Sequence, residues 1–371
     1  MWLRRLEADR LRNLRSVAID LAPGLTVITG RNGHGKTSLL EAAYLLGTAH
    51  SFRTRTLDDL VARDGGPLRV SGLVSSVPGD AELGLVLDGG TRRLLLNGGS
   101  LELVDFLGRL DLVALPGDAV RTLRDGPEAR RRFIDSGVAG LRPSFLAELA
   151  SYRRHLAERN ALLRHGARRA TERSQGEMEA WEDRLAGAAA RIHRRRREYV
   201  MGLTSRLGPA ERVLFPEGGE VRARYRPSPI ESEQVDPGRF EPIYREALGR
   251  ARKRDEALGF TSLGPHRDDL ELTLDGADLR RFGSAGQLRA AMVALCAGKL
   301  GILKDERREA PLFLMDDFDS DFDDGRARSL VDFLRNGGFQ ALLATSKDGW
   351  QDRLGCPLPV IRVEGGLARA A

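Results

Sequence analysis

The octapeptide Gly30-Arg31-Asn32-Gly33-His34-Gly35-Lys36-Thr37 constrains this chain more than any other stretch, because it fits G-x-x-x-x-G-K-[ST] at every fixed position. Glycines at these spacings let successive backbone N–H groups turn inward toward phosphate oxygens. The pattern needs a strand before it and a helix after it, so that the helix N-terminus adds its positive end to the site. Both flanks are present. "LTVIT", residues 25–29, is a short β-branched run, and "KTSLLEAAYLLG" carries Leu39, Leu40, Ala43 and Leu46 at helical spacing. An accidental glycine-rich turn would lack them. The motif therefore predicts a nucleoside triphosphate cradled by Gly30 to Ser38, with Lys36 reaching the β- and γ-phosphates and the Thr37 hydroxyl ligating Mg2+.

A phosphate loop of this kind works with an acidic strand end. Leu312–Met315 reads as a buried parallel strand, and Asp316-Asp317 follows it at once. Asp316 is placed to orient Mg2+ and its water shell, and Asp317 to polarise an attacking water. The pair lies 280 residues beyond Lys36, so the fold must join the two across everything between.

The texture of that intervening chain changes near Pro116. Residues 66–115 look like a strand meander, with turns at Gly79-Asp80, Gly89-Gly90 and Gly98-Gly99. Residues 143–174 and 178–207 then read as two long helices forming an antiparallel pair, and the Pro- and Gly-rich residues 213–240 as irregular chain. Strand and helix signals return from about residue 258. The expected architecture is an α/β nucleotide-binding head built from 1–115 and 258–371, interrupted by a helical arm at 116–257.

The arm concentrates the positive charge. Residues 121–200 hold 19 Arg, no Lys and 11 acidic residues, an excess of eight, whereas the whole chain is only +6. A charge run is often just a solvated face. Here the excess sits on one insertion, which favours contacts to a phosphate backbone. The densest runs nominate Arg131, Arg132, Arg194, Arg195, Arg196 and Arg197 as DNA-binding residues. Few aromatics accompany them (Tyr152, Trp181, Tyr199), so sequence-independent binding to single-stranded, gapped or duplex DNA is expected rather than base stacking. Cys296 and Cys356 form no ligand or disulfide pattern, the charged N-terminus does not fit a secretory leader, and no apolar run suggests a span of about 20 residues. A cytoplasmic protein with no membrane partner is expected.

The class is decided by "GSAGQLRAA", residues 283–291, which resembles the Ser-x-Gly-Gln signature of ABC-type ATPases and lies 32 residues before Asp316. Together with "GPHRDDLEL", "GPEARRRFIDS", "YRRHLAERNALL", "NGHGKTSLLEAAYLL" and "SFRT", it resembles the RecF family of SMC-like, ABC-type ATPases over residues 3–346. The resemblance implies an ABC-type P-loop head of mixed sheets and helices, with a partly antiparallel coiled-coil arm. It implies that Ser284, Gly286 and Gln287 form a second anion site, which closes on the triphosphate held by a partner copy, so that ATP drives homodimerisation. Arg12 and Asn13 fall where related ATPases place polar contacts to the nucleotide. RecO and RecR are the implied protein partners, and recombinase loading in gap repair, replication-fork maintenance and the damage (SOS) response are the implied roles.

This sequence departs from the family's habits in two places. Ser320-Asp321-Phe322-Asp323 stands where Ser-x-Leu-Asp is usual, and Gly117 stands where an acidic residue tends to follow the proline. Thr345-Ser346 occupies the strand end where transporter ATPases carry a switch histidine, which fits slow turnover. Two rivals remain at this point: a membrane-docked ABC transporter ATPase subunit, and a scaffold that binds ATP while hydrolysing almost none.

Overall fold

The computed structural model describes residues 1–371 apart from 55, 63, 64, 78, 167–171, 231–234, 319–321, 348 and 350–356, and excludes the side chains of 165–166 and 172–175. Arg55, Ser320, Asp321 and Cys356 thus lie outside the described residues. The chain opens with β1 (Trp2–Leu11), β2 (Leu14–Asp20), β3 (Leu25–Thr29), α1 (Lys36–Thr48), β4 (Leu68–Ser76), β5 (Gly79–Asp88), β6 (Thr91–Leu96), β7 (Gly99–Leu101), the single turn α2 (Leu103–Phe106) and β8 (Leu112–Leu115). A mostly helical stretch follows: α3 (Val120–Arg124), α4 (Pro127–Leu141), α5 (Phe145–Gly166), α6 (Glu172–Thr204), α7 (Gly208–Leu214), β9 (Val221–Arg226) and α8 (Phe240–Leu258). The remainder is β10 (Asp269–Leu274), β11 (Ala277–Asp278), α9 (Leu279–Phe282), α10 (Ala285–Arg307), β12 (Leu312–Met315), α11 (Asp324–Asn336), β13 (Ala341–Thr345), β14 (Val360–Glu364) and β15 (Leu367–Ala370).

Two compact units result. One comprises Met1–Arg121, Ser205–Val221 and Leu279–Ala371, the other Thr122–Thr204 and Arg222–Asp278. This partition differs from an arm at 116–257. Ser205–Val221 rejoins the head because α7 packs on α10 and α11. The "GPHRDD" block stays in the second unit because Asp268, fully buried, is bound there by Arg196 and Tyr225.

The head is built on two sheets. An antiparallel one has the order β2-β1-β4-β5-β6-β7, and a mainly parallel one the order β15-β14-β3-β13-β12-β8. α1 packs against strands of both, which explains why Leu39, Leu40, Ala42, Ala43, Leu45 and Leu46 are all buried. Gln340 ties strands of both sheets to one another: its amide exchanges hydrogen bonds with the backbone of Leu3 (2.8 Å each) and donates to Ala22 O (2.9 Å). β3 and β12 are buried at every position, as expected of a parallel sheet covered on both faces. In register, Thr29 of β3 pairs with Thr345 of β13, and Met315 of β12 with Leu343. Parallel neighbours in this register bring the loop after Thr29 and the acids after Met315 to the same carboxyl edge of the sheet, where α/β folds bind ligands.

Three sequence expectations need correction. "VRARYR", residues 221–226, is a strand with Val221, Ala223 and Tyr225 buried, although the surrounding Pro and Gly suggested irregular chain. Gly79-Asp80 opens β5 instead of forming the turn before it. α10 does have the length and apolarity of a membrane span, but most of it is buried within the protein, and Arg289, Lys299 and Lys304 lie along it.

Candidate functional site

Gly30 to Gly35 turn the chain from β3 into α1 through three positive φ angles, 150° at Gly30, 82° at Gly33 and 117° at Gly35. Close approach demands glycine at two of them. A Cβ at residue 30 would lie 2.2 Å from the Val363 carbonyl oxygen, and one at residue 35 would lie 2.8 Å from Leu14 Cδ2. The loop is thus pressed against β14 and β2. Lys36 curls under it and donates Nζ to Gly30 O (2.7 Å) and Arg31 O (3.3 Å), so the ammonium lies within the concavity of the loop. Arg31 and Asn32 are exposed and His34 is half-buried.

Thr37 donates its hydroxyl to Asp316 Oδ2 at 2.7 Å, closing 279 residues of sequence separation. Two hard oxygen donors are thereby paired at the mouth of the loop, a set that suits Mg2+, which binds through one or two carboxylates and substrate phosphates. Burial pushes the Asp316 carboxyl above its usual range and the charge of Asp317 adds to this, while the Thr37 hydrogen bond and Lys36 oppose it. A bound cation would relieve that cost. Asp317 is exposed, adopts the left-handed region (φ 47°) and donates its N–H to Asp316 Oδ1 at 3.2 Å. Phe318 N donates to Ala344 O (2.9 Å), latching this turn to the end of β13.

Asn13 braces the loop from behind: Nδ2 donates to Gly33 O (2.7 Å), and Oδ1 accepts from the Ser38 hydroxyl (2.8 Å). Ser38 therefore directs its hydroxyl at Asn13. Arg12 is held by Glu41 on α1 (2.5 and 3.1 Å), a carboxylate with no exposed surface that also accepts from Ser51. Asn13 thus shapes the loop directly, while Arg12 is tied to α1. The β14–β15 turn joins them from the C-terminal end, with Gly366 N donating to His34 O at 3.3 Å.

Ser284 caps α10 in a reciprocal box. Its hydroxyl accepts from Gln287 N (3.2 Å), and Gln287 Oε1 accepts from Ser284 N (2.9 Å). Both side chains are exposed, as is Ala285, and Gly286 is half-buried, so the cap of this 23-residue helix faces solvent. Sequence reasoning missed Arg289 and Glu41, and marked Gly117 only as a departure from the family's habit. An arginine inside the apolar run "LRAAMVALCAG" was a usable signal, since a buried charge must find partners.

This geometry agrees with what known proteins resemble the chain. Residues 5–47 match a family model described as an AAA domain. The DNA replication and repair protein RecF of Myxococcus xanthus is 34% identical over 355 residues, 93% of this chain and 91% of that protein. Its counterpart in an Anaeromyxobacter species is 35% identical over 371 residues, 99% and 98% of the two chains. The chain belongs to the RecF family. Solved structures of the recombination mediator protein RecF in the RecFOR pathway, one described with ATP and one with ATPrS, superpose with a TM-score of 0.88 over 100% of this chain, at 26% and 25% identity, and cover 97% and 98% of those chains. The Smc head domain of Pyrococcus furiosus shares the fold at a TM-score of 0.58 and 16% identity, covering 100% of this chain and 96% of that one.

For this RecF-family chain the second unit revises the basic surface. Arg196 is 3% exposed and ion-paired with Asp135 (2.8 Å) and Asp268 (2.8 Å), and it also donates to Pro265 O at 2.6 Å. It is a core residue, so its nomination as a DNA contact is withdrawn. Its neighbours are also engaged. Arg131 donates to Asp268 O (2.7 Å), Arg194 to Pro237 O (3.2 Å) and Arg197 to Val235 O (2.9 Å), while Arg195 lies 3.7 Å from Glu198. Arg132 is exposed beside Glu128 at 3.3 Å. His266 bridges Tyr152 Oη (2.6 Å) and Thr261 O (3.0 Å) and so orders its own loop.

The open cationic surface lies elsewhere on the same helix pair. Arg154, Arg184 and Arg191 are exposed and in no ion pair among the described residues. Burial lowers the pKa of His155 on the same helix pair; a backbone hydrogen bond to Arg184 raises it, and the charges of Arg184, Arg191 and Arg154 lower it further. Arg184 also lies over Trp181, 4.8 Å from the ring centroid. Among the acids of α6, Glu182 is bound by Arg159 and Arg252, Glu179 by Arg252, and Asp183 by Arg245.

Proposed function

We propose that this chain is a DNA-repair ATPase whose triphosphate site is completed by a second copy. The Thr37–Asp316 contact at the mouth of a full phosphate loop is the observation that carries this reading. Gly30 to Ser38 and Lys36 bind the phosphates, and Asp317 polarises the attacking water. Thr37 and Asp316 would hold Mg2+, which when bound neutralises charge on the phosphates. Ser284, Gly286 and Gln287, at a solvent-facing helix N-terminus, offer the second anion site to the triphosphate of a partner copy. ATP then acts as the joint of a homodimer, and hydrolysis releases it.

DNA lies along the Arg154, Arg184 and Arg191 surface, with Arg132 as a further exposed contact. The positive charge there supports backbone binding without sequence preference. The related structures belong to the RecFOR pathway, so RecO and RecR are the partners to test, in gap repair, replication-fork maintenance and the damage response. The deciding experiment is the molar mass in solution by light scattering with ATP, with ADP and without nucleotide, each with and without gapped duplex. A dimer that forms only with ATP is expected. A persistent monomer at saturating ATP and DNA, with hydrolysis per molecule independent of dilution, would overturn the reading.

A further inference from the structure

The head contains a clamp between the signature helix and the acid pair. Arg289 lies on α10, five residues beyond Ser284, and is 1% exposed. Its guanidinium reaches four backbone carbonyls. Nη1 donates to Pro116 O (3.3 Å) and Gly117 O (2.9 Å), and Nη2 to Asp316 O (2.7 Å) and Asp317 O (3.2 Å). These carbonyls follow the ends of the adjacent parallel strands β8 and β12, so one fork fixes both exits. The Asp317 backbone it holds is left-handed, a conformation that a residue with a side chain seldom keeps unless its surroundings impose it. The carboxylate then lies over Gly117, where an added Cβ would come within 2.6 Å of Asp317 Oδ2. The glycine is the residue that departs from the family's habit, and this contact gives a physical reason for it in this chain.

We propose that Arg289 and Gly117 are positioning residues that set the aim of the Asp317 carboxylate, and that α10 thereby links the state of Ser284 to the water-polarising group. Anion engagement at the N-terminus of α10 shifts or steadies that helix. The fork moves with it, and the left-handed turn that carries Asp317 follows. Gly117 supplies the space into which the carboxylate settles. The inference rests on the reading of Asp317 given above and adds how that residue is regulated.

The test uses the full-length protein as Gly117→Ala, Arg289→Lys, Asp317→Asn and the double variant Gly117→Ala/Asp317→Asn. Melting temperature, equilibrium binding of a fluorescent ATP analogue and single-turnover hydrolysis are measured for each. Gly117→Ala and Arg289→Lys should bind nucleotide within about two-fold of the parent and hydrolyse it at least ten-fold more slowly. Gly117→Ala should cause no further loss once Asp317 is Asn, because a group that acts through another has nothing left to position. If Arg289→Lys does not fold, the Gly117→Ala cycle alone decides. Parental rates in both single variants, with Asp317→Asn inactive, would overturn the clamp and leave the assignment of Asp317 standing. Equal losses from Gly117→Ala in both backgrounds would reduce it to a structural residue and also overturn the clamp. Normal hydrolysis by Asp317→Asn would overturn the underlying assignment.

Discussion

Replacing Arg196 by alanine should destabilise the second unit without altering how DNA binding responds to salt. The substitution removes the guanidinium that pairs with Asp135 and Asp268 and donates to Pro265 O. Stripping one partner from a buried pair costs roughly 3–5 kcal/mol, because the other charge stays in a poor solvent for it. The lower part of that range applies. Asp268 also accepts from Tyr225 and from Ser228 N (2.9 Å), and burial already pushes its carboxyl upward, a push that loss of Arg196 increases. A loss of about 3 kcal/mol at roughly 2–4 °C per kcal/mol lowers the melting temperature by about 10 °C. The variant's Asp268 binds its proton more readily when folded than when unfolded, so its deficit should shrink as the pH falls from 8 toward 5. Calorimetry at both pH values checks this, alongside DNA titrations at several salt concentrations. A melting temperature within 2 °C of the parent, combined with a shallower salt slope, would show that Arg196 reaches phosphate and would refute its assignment to the core.

Lys36→Met should abolish ATP binding and with it the ATP-dependent dimer; an unaltered dimer in light scattering would contradict the phosphate-site assignment. Neutralising Arg154, Arg184 and Arg191 together should weaken DNA binding and flatten its salt slope by up to about 0.9 per lost phosphate contact, and an unchanged slope would place the DNA elsewhere. His266 is pushed down to about 4 by burial, from an ordinary 6.5. The unfolded chain therefore protonates first. The contribution of His266 is intact above pH 6.5 and falls as the pH drops toward 4, by about 2 kcal/mol at pH 5; His193, pushed down to about 3 by burial, adds a slope of its own, so His266→Asn should make the slope in denaturant titrations shallower by the His266 share. Gly366→Ala places a Cβ 2.1 Å from Asn13 O at a φ of 81°; a strain of about 1–3 kcal/mol passed to the loop should weaken ATP binding roughly ten-fold, and an unchanged affinity would uncouple the C-terminal turn from the site.

The nucleotide site was legible because its chemistry is tied to fixed local spacing. The glycines, Lys36 and Thr37 must be neighbours in sequence, and two acids at the end of an apolar strand are costly enough to imply a cation beside them. The way the site is braced was not legible. Asn13 was singled out for the nucleotide, but that its amide holds Gly33 O and the Ser38 hydroxyl, and that the Gly366 N–H reaches His34 O, no side-chain pattern announces. The arginines failed for a different reason. Four in a row point to all sides of a helix, and the one that turned inward, Arg196, was chosen by acids 61 and 72 residues away. β9 was hidden because its alternation, with Val221, Ala223 and Tyr225 inward, places an arginine at every outward position amid prolines and glycines.

The order of the parallel sheet has a consequence for synthesis. β3, which carries the phosphate loop, is flanked by β13 and β14, whose residues begin at 341 and 360. At about 5–20 residues per second, a ribosome has roughly 15–60 s of further elongation to complete before the loop's own strand gains either neighbour. Through that interval a strand of five apolar or β-branched residues waits unpaired, while the helices of the second unit are already available to form. The newborn chain thus holds a strand that is fully buried in the folded head open until residues beyond 341 are made, and this unpaired β3 is where a holding chaperone would be expected to act.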